Sequence, residues 1–216
     1  RNLSRGLGDV YKRQIKDTIV IEGKEKFVIE GDDDLECGIY MIVREKRNAY
    51  FEFIVNNQKF SVISDTIDFV GRTEFKNSPE NEKLYAYFRF TGERGEQLQD
   101  SSLSSAERKK IHQEIAEYKK DFIRDNPDNP MTVVFLMQEE VTVPQFLKDK
   151  EGEGADRERY YYYYNHYWDK VDFNSSCLLR TPLFHGKMQR YFYKIIPQHY
   201  DSIPIYADLL IEKSRV

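Results

Sequence analysis

The spacing of hydrophobic and polar residues changes once along this chain, near residue 77. Before that point the period is close to two. Residues 18–21, 27–30, 39–44, 50–55 and 60–64 are short runs rich in β-branched and aromatic side chains. Alternation is clearest in Tyr50-Phe51-Glu52-Phe53-Ile54-Val55 and in Lys59-Phe60-Ser61-Val62-Ile63. Turn formers separate the runs: Glu22-Gly23-Lys24, Gly31-Asp32-Asp33-Asp34 and Asn56-Asn57. Strand follows strand at intervals of about ten residues, which predicts an antiparallel sandwich or meander. Residues 65–76 predict one more strand, bulged or bent at Gly71.

After residue 77 the period is helical. Asn77-Ser78-Pro79-Glu80-Asn81-Glu82 is a helix start. Ser78 can cap, Pro79 suits the first helical position, and the acids suit the positive helix end. Leu84, Tyr85, Phe88 and Phe90 supply the apolar face, and residues 92–102 read as a polar break. Ser104 with Glu107 forms a capping box. Ile111, Ile115, Tyr118 and Phe122 follow at helical spacing, ending before Asn126-Pro127. A third helix, 131–140, is apolar on most sides and therefore buried. Residues 141–156 read as a loop centred on Glu151-Gly152-Glu153-Gly154, a site for proteolysis.

The last quarter is dense in aromatic residues. Tyr160 to Tyr164 are consecutive tyrosines. At about 100° per residue they cover more than a full circle, so they cannot share one helix face. Tyr160, Tyr164, Tyr167 and Val171 form one stripe; Tyr161, Asn165 and Trp168 form the next. The plain reading is a core helix with hydroxyls at a wet rim. The functional alternative is an aromatic platform for a sugar or a partner segment. Leu178-Leu179-Arg180-Thr181-Pro182 reads as a tight link, with Thr181 as cap and Pro182 opening a helix that runs to about residue 196. Phe184, Met188, Tyr191, Phe192 and Ile195 face inward, and Pro197 ends that helix. Asp201 or Ser202 starts the last one, with Ile205, Leu209 and Glu212 recurring along it.

Composition narrows the function classes. At 40% hydrophobic and 32% charged the chain suits a folded globular protein. No apolar run approaches the ~18 residues of a membrane span. A net negative chain without a basic cluster argues against nucleic acid as partner. The two cysteines, Cys37 and Cys177, lie far apart in sequence and form no C-x-x-C. They read as buried thiols acting as small hydrophobes. A disulfide between them is the reading an oxidising compartment would allow.

The candidate chemistry is thin. Asp32-Asp33-Asp34 lacks the alternating spacing and closing glutamate of a calcium loop and reads as a solvated turn. His166, His185 and His199 share no i, i+3 or i, i+4 spacing. With Asp169, Asp172 and Asp201 nearby they read as hydrogen-bonded structural residues rather than metal ligands or a hydrolase site. There is no G-x-S-x-G elbow and no glycine loop for phosphate. Arg180 reads as a structural anchor to a carboxylate. No catalytic residue, metal ligand or cofactor-binding residue is assigned.

Both ends qualify this picture. Ser4 to Gln14, SRGLGDVYKRQ, resembles the translation of a transposase sequencing adaptor, so residues 1–14 are expected to be a non-native tail. Without them the balance moves from 33 basic and 37 acidic residues to 29 and 36, a net charge of −7. The closing Glu212-Lys213-Ser214-Arg215-Val216 has no helix cap, which suggests a cut there as well.

A family resemblance rests on specific residues. Tyr167-Trp168-Asp169, Asp172-Phe173, Leu178-Leu179-Arg180-Thr181-Pro182, Phe184-His185, Lys187, Ile196-Pro197-Gln198-His199 and Asp201-Ser202-Ile203 resemble a helical domain of unknown function in bacteroidete thioredoxin-like proteins. Asp17-Thr18-Ile19, Phe27-Val28-Ile29-Glu30-Gly31, Gly38-Ile39-Tyr40 and Asn77-Ser78-Pro79-Glu80-Asn81 resemble the β domain that precedes it. The resemblance implies an order of export signal, β-sandwich, helical domain and then a thioredoxin-fold domain with C-x-x-C. It implies a cell-envelope or periplasmic protein, often lipid-anchored, acting as a thiol-disulfide oxidoreductase. This chain has no C-x-x-C, so no redox residue carries over. The expectation is an α+β chain: a tail at 1–14, an antiparallel β domain at 15–76 missing its start, and a helical domain at 77–216 that may be cut at its end. Its expected function is non-catalytic, positioning a downstream thioredoxin-fold domain in the same polypeptide or binding substrate protein. Membrane attachment would come only through a lipid anchor or signal outside the chain. The alternative is a stand-alone envelope module binding glycan or peptide through its tyrosine-rich helices.

Overall fold

The computed structural model describes residues 28, 30, 33–43, 50–56, 59–64, 68–181 and 183–215. Its class is α+β: short antiparallel strand pairs, then helices. β1 (Gly38–Val43) pairs with β2 (Tyr50–Val55), with Gly38 opposite Val55 and Val43 opposite Tyr50. β3 (Ser61–Ile63) pairs with β4 (Glu74–Lys76). The two pairs are separate two-stranded sheets among the described residues. The strand expected at 18–21 lies outside the described residues, as does most of the one at 27–30.

Over residues 68–76 the expected strand is corrected to β4 alone, and residues 65–67 lie outside the described residues. Residues 69–72 form a turn held by Asp68, whose Oδ1 accepts from the Val70 and Gly71 N–H groups at 3.2 and 2.7 Å. Gly71 therefore sits in a turn rather than in a strand bulge. A short carboxylate that bonds the backbone two and three residues on competes with strand pairing.

α1 (Pro79–Leu98) begins where the start signal lies, but Ser78 makes no side-chain cap bond to it. Instead Asn81, fully buried at 0% exposure, works as a clamp on β2. Its Oδ1 accepts from the Ile54 N–H and its Nδ2 donates to the Ile54 carbonyl, both at 2.7 Å. Nδ2 also donates to Ser78 Oγ at 2.6 Å. Farther along α1, Tyr85 donates its hydroxyl to the Glu52 carbonyl. One side chain thus supplies β2 with the donor and acceptor a neighbouring strand would offer. Asn77 turns the chain into α1 with a φ of 62°, a region asparagine tolerates.

The polar break expected at 92–102 is also corrected: α1 runs through Gly92 and Gly95 to Leu98. Packing against α2 (Ser105–Asp125) carries it on. Phe90 stacks on Tyr118 at 4.4 Å, and Arg94 lies over Phe90 while bonding Glu114 at 2.8 Å. These contacts offset the roughly 1 kcal/mol that each glycine costs a helix. The Ser104–Glu107 capping box is present in full.

α3 (Pro130–Gln138) is capped by Asn129, which accepts from the Met131 N–H. Residues 141–156 hold a single helical turn, α4 (Gln145–Lys148), before α5 (Ala155–Asn165). α5 stops short of Tyr167 and Trp168, so the stripes predicted through those residues are not helical stripes. Leu178–Arg180 is a 3-10 turn. α6 (Phe184–Arg190) continues into a π turn, Tyr191–Ile195, closed by the Ile196 N–H bonding the Tyr191 carbonyl. Thr181 caps no helix; its hydroxyl donates to the Leu178 carbonyl. α7 (Ser202–Lys213) follows.

Two cores result. The first gathers Phe51, Phe53, Ile54, Phe75, Leu84 and Phe135 between β2, β4 and α1–α3. The second gathers Tyr167, Trp168, Leu178, Phe184, Tyr191 and Ile196. α3 serves both, with Phe135 in the first and Met137 in the second. The cysteines are not separate thiols: Cys37 and Cys177 are joined in a disulfide across 140 positions.

Candidate functional site

The tyrosine run does not form an open platform. Tyr160 donates its hydroxyl to the Ile195 carbonyl at 2.5 Å, and Tyr163 donates to Glu140 at 2.6 Å. Tyr164 meets Tyr206 edge-on at 5.5 Å. Tyr167 stacks on Tyr191 at 5.3 Å, and Trp168 meets both of them edge-on. Burial pushes the Tyr163 and Tyr191 hydroxyls up to about 12, helped at Tyr163 by its bond to Glu140. These rings make a layer with hydroxyls bonded at its rim.

The densest set of charged groups surrounds the end of α3. Lys187 donates to the Met137 carbonyl at 2.8 Å and lies over the Tyr167 ring at 4.5 Å. Burial pulls its ammonium below the ordinary lysine range. Arg190 pairs with Glu140 at 2.5 Å, and Lys170 pairs with Glu139. The Tyr163 hydroxyl bond and then the Arg190 pair hold the Glu140 carboxyl below its usual range. Cations at a helix C-terminus are favoured by its exposed carbonyls. The cluster contains no nucleophile activated by a base, so its chemistry is that of a joint.

Two of the three histidines pair locally. His166 Nδ1 lies 2.5 Å from Asp169 Oδ2, with the ring against Tyr162 at 4.1 Å. His199 lies 3.7 Å from Asp201, with its ring tilted against Tyr200. His185 is half-buried on α6. Among the described residues no group of His, Cys, Asp and Glu could hold a metal ion. Asp33 and Asp34 are exposed, and Asp32 lies outside the described residues. Arg180 finds its carboxylate in Glu36.

A pocket of about 330 Å³ opens beside Trp168, Asp169, Asp172, Phe173, Asn174 and Lys213. Its indole is 3% exposed, so it cannot offer a sugar an open ring face. Asp172 is already accepting from the Asn174 N–H, and Asp169 is bound to His166. A second pocket of about 360 Å³ lies against Phe75, Tyr85, Glu82 and Arg89 and likewise lacks a nucleophile–base pair.

One surface stands out. On α7 only Leu210 is buried, while Ile203, Ile205, Leu209 and Ile211 are exposed, Ile205 at 59% and Leu209 at 44%. The recurrence of Ile205 and Leu209 is visible in the sequence; their facing outward is not. No described helix is long and apolar enough to cross a membrane. Two further features escape sequence reasoning. The Cys37–Cys177 bond has no signal in spacing. The Asn81 clamp leaves one trace, an asparagine in the first turn of a helix, where its amide can reach the preceding strand.

Comparison with known proteins covers part of the chain. Residues 6–84 match a family model described as a domain of unknown function (DUF4369). The matched range begins inside the Ser4–Gln14 stretch and ends in α1, just beyond the Asn81 clamp. No curated protein and no solved structure matches the chain.

Proposed function

We propose that this chain is the non-catalytic N-terminal region of a cell-envelope thioredoxin-like thiol-disulfide oxidoreductase, and that α7 docks the redox domain that follows. The exposed aliphatic residues of α7 carry the reading. Four large aliphatic side chains lie in water on one short helix next to Val216. Ile205 and Leu209, four positions apart, share one side of α7, and an exposed apolar pair of this kind suits a docking surface. The resemblance of residues 160–215 to helical domains that precede a thioredoxin fold supplies the occupant. The Cys37–Cys177 disulfide supports an oxidising compartment such as the envelope. On this reading the reactive cysteines lie outside the chain, and residues 1–14 come from a library adaptor.

The test begins with the reading frame beyond Val216. A C-x-x-C domain is expected there, and a frame that stops near Val216 without one overturns the proposal. In the longer protein, amides of α7 should exchange about tenfold more slowly than in the 216-residue chain. Replacing Ile205 and Leu209 by Glu should abolish that difference.

A further inference from the structure

We propose that the Cys37–Cys177 disulfide is a reducible strap that fixes the two halves of the molecule against each other, and that its reduction frees them to hinge about α3. The proposal rests on how the halves are joined and does not depend on the α7 reading.

Among the described residues three main links join the half built on β1–β4 and α1–α3 to the half built on α4–α7. The first is α3 itself, which contributes to both cores and whose end is held by Lys187, Lys170 and Arg190. The second is Leu183, packed against both cores. The third is a local seam, where the start of β1 meets the Leu178–Arg180 turn. There Gly38 faces Arg180 so closely that an added Cβ would lie 2.5 Å from the Arg180 Cβ. Arg180 also pairs with Glu36 and donates to the Ser176 carbonyl at 3.3 Å, bridging the residues that precede the two cysteines. Without the sulfur bond, the seam keeps an exposed ion pair and a glycine contact, neither of which holds strongly. α3 and its charged end remain as a pivot.

The strap is accessible from one side. Cys177 is 8% exposed, whereas Cys37 is only half-buried. A thiolate of an external dithiol would attack Cys37 Sγ. The Sγ–Sγ bond breaks and its electron pair leaves on Cys177 Sγ, which takes a proton from solvent. The second thiolate of the dithiol then attacks the external sulfur, releasing Cys37 as a thiolate that is protonated in turn. The dithiol is oxidised to a disulfide, and the protein disulfide is reduced to two thiols. Asn56 Oδ1 lies 3.5 Å from Cys37 Sγ, placed to accept a bond from the new thiol. β2 does not depend on the strap, because Asn81 and Tyr85 hold it to α1. The expected opening is therefore a parting of the seam rather than unfolding.

The oxidised chain, treated with dithiothreitol without denaturant, tests this by thiol alkylation, mass spectrometry and hydrogen exchange. Both cysteines should become alkylated. Exchange at residues 36–43 and 176–183 should rise about tenfold, while α2 stays within about twofold. With glutathione as a monothiol, the trapped mixed disulfide should map to Cys37. The proposal is overturned if the bond resists dithiothreitol until the protein unfolds. It is also overturned if reduction raises exchange everywhere or nowhere, or if glutathione maps to Cys177. A Cys37→Ser/Cys177→Ser variant should reproduce the seam-only pattern without reductant. Failure of that variant to fold would make the bond a global staple and would equally refute the hinge.

Discussion

The core around β2 is closed by phenylalanine, and the core around α5 and α6 is closed by tyrosine. In the first, Phe51, Phe53, Phe75, Phe122 and Phe135 meet one another, and the polar needs of β2 are met by Asn81 and Tyr85. In the second, the rings bring their own donors. Tyr160 bonds the Ile195 carbonyl, Tyr167 the Lys187 carbonyl and Tyr163 the Glu140 carboxylate. The difference follows from backbone geometry. Strand ladders and long helices satisfy most of their own carbonyls, and Asn81 and Tyr85 serve the other edge of β2, so apolar rings fill the rest. At the end of the π turn the Ile195 carbonyl takes the Tyr160 hydroxyl, so a ring that fills the space also meets a polar need.

The largest expected effect comes from breaking the phenylalanine core. Phe135→Ala should lower stability by about 4 kcal/mol in chemical denaturation, because the ring is fully enclosed and meets Tyr87 and Phe122. A loss under about 1 kcal/mol would mean the core closes over the cavity. Asn81→Ala should cost about 3 kcal/mol, since it strands the buried Ile54 N–H and C=O together. Its cost should exceed that of Ser78→Ala, which removes one bond from the same knot.

Alkali should weaken both cores, because burial raises the hydroxyl of Tyr85 beside β2 as well as those of Tyr163 and Tyr191. Tyr163 and Tyr191 titrate near 12 folded and near 10 unfolded. Their contribution is intact below pH 10 and is lost as pH rises toward 12, because the unfolded chain releases those protons first. Stability should fall by on the order of 2 kcal/mol over that window, Tyr163 being partly solvated. Phenolate absorbance followed alongside near-ultraviolet dichroism checks it. A stability that stays flat between pH 10 and 12 would show that these hydroxyls titrate alike folded and unfolded. The smallest effect should be a gain: Gly92→Ala in the open middle of α1 should add about 0.5–1 kcal/mol to the melting free energy.

Local signals were legible where a residue acts on its own backbone. The Ser104–Glu107 box, Pro79 at the head of α1, the β1 and β2 runs and the start of α7 all follow from side chains that reach only a few positions away. The reading failed where a distant partner decided the outcome. Gly92 and Gly95 do not break α1, because Arg94 and Phe90 have partners on α2. Ser78 is a plausible cap in isolation, but Asn81 takes its hydroxyl. The histidines carried no ligand spacing, and His166 and His199 each pair with a near neighbour.

The sequence by itself determined the class of this protein, strands first and helices after, because periodicity and capping are properties of a few neighbouring residues. It also determined the lack of any motif for catalysis. Only the tertiary structure decided which surfaces are closed and which are open. The same aliphatic spacing could have buried Ile205 and Leu209 or left them in water, and the outcome depends on what lies across from the helix. The joining of Cys37 to Cys177 was decided in the same way, by two segments 140 positions apart meeting at one seam.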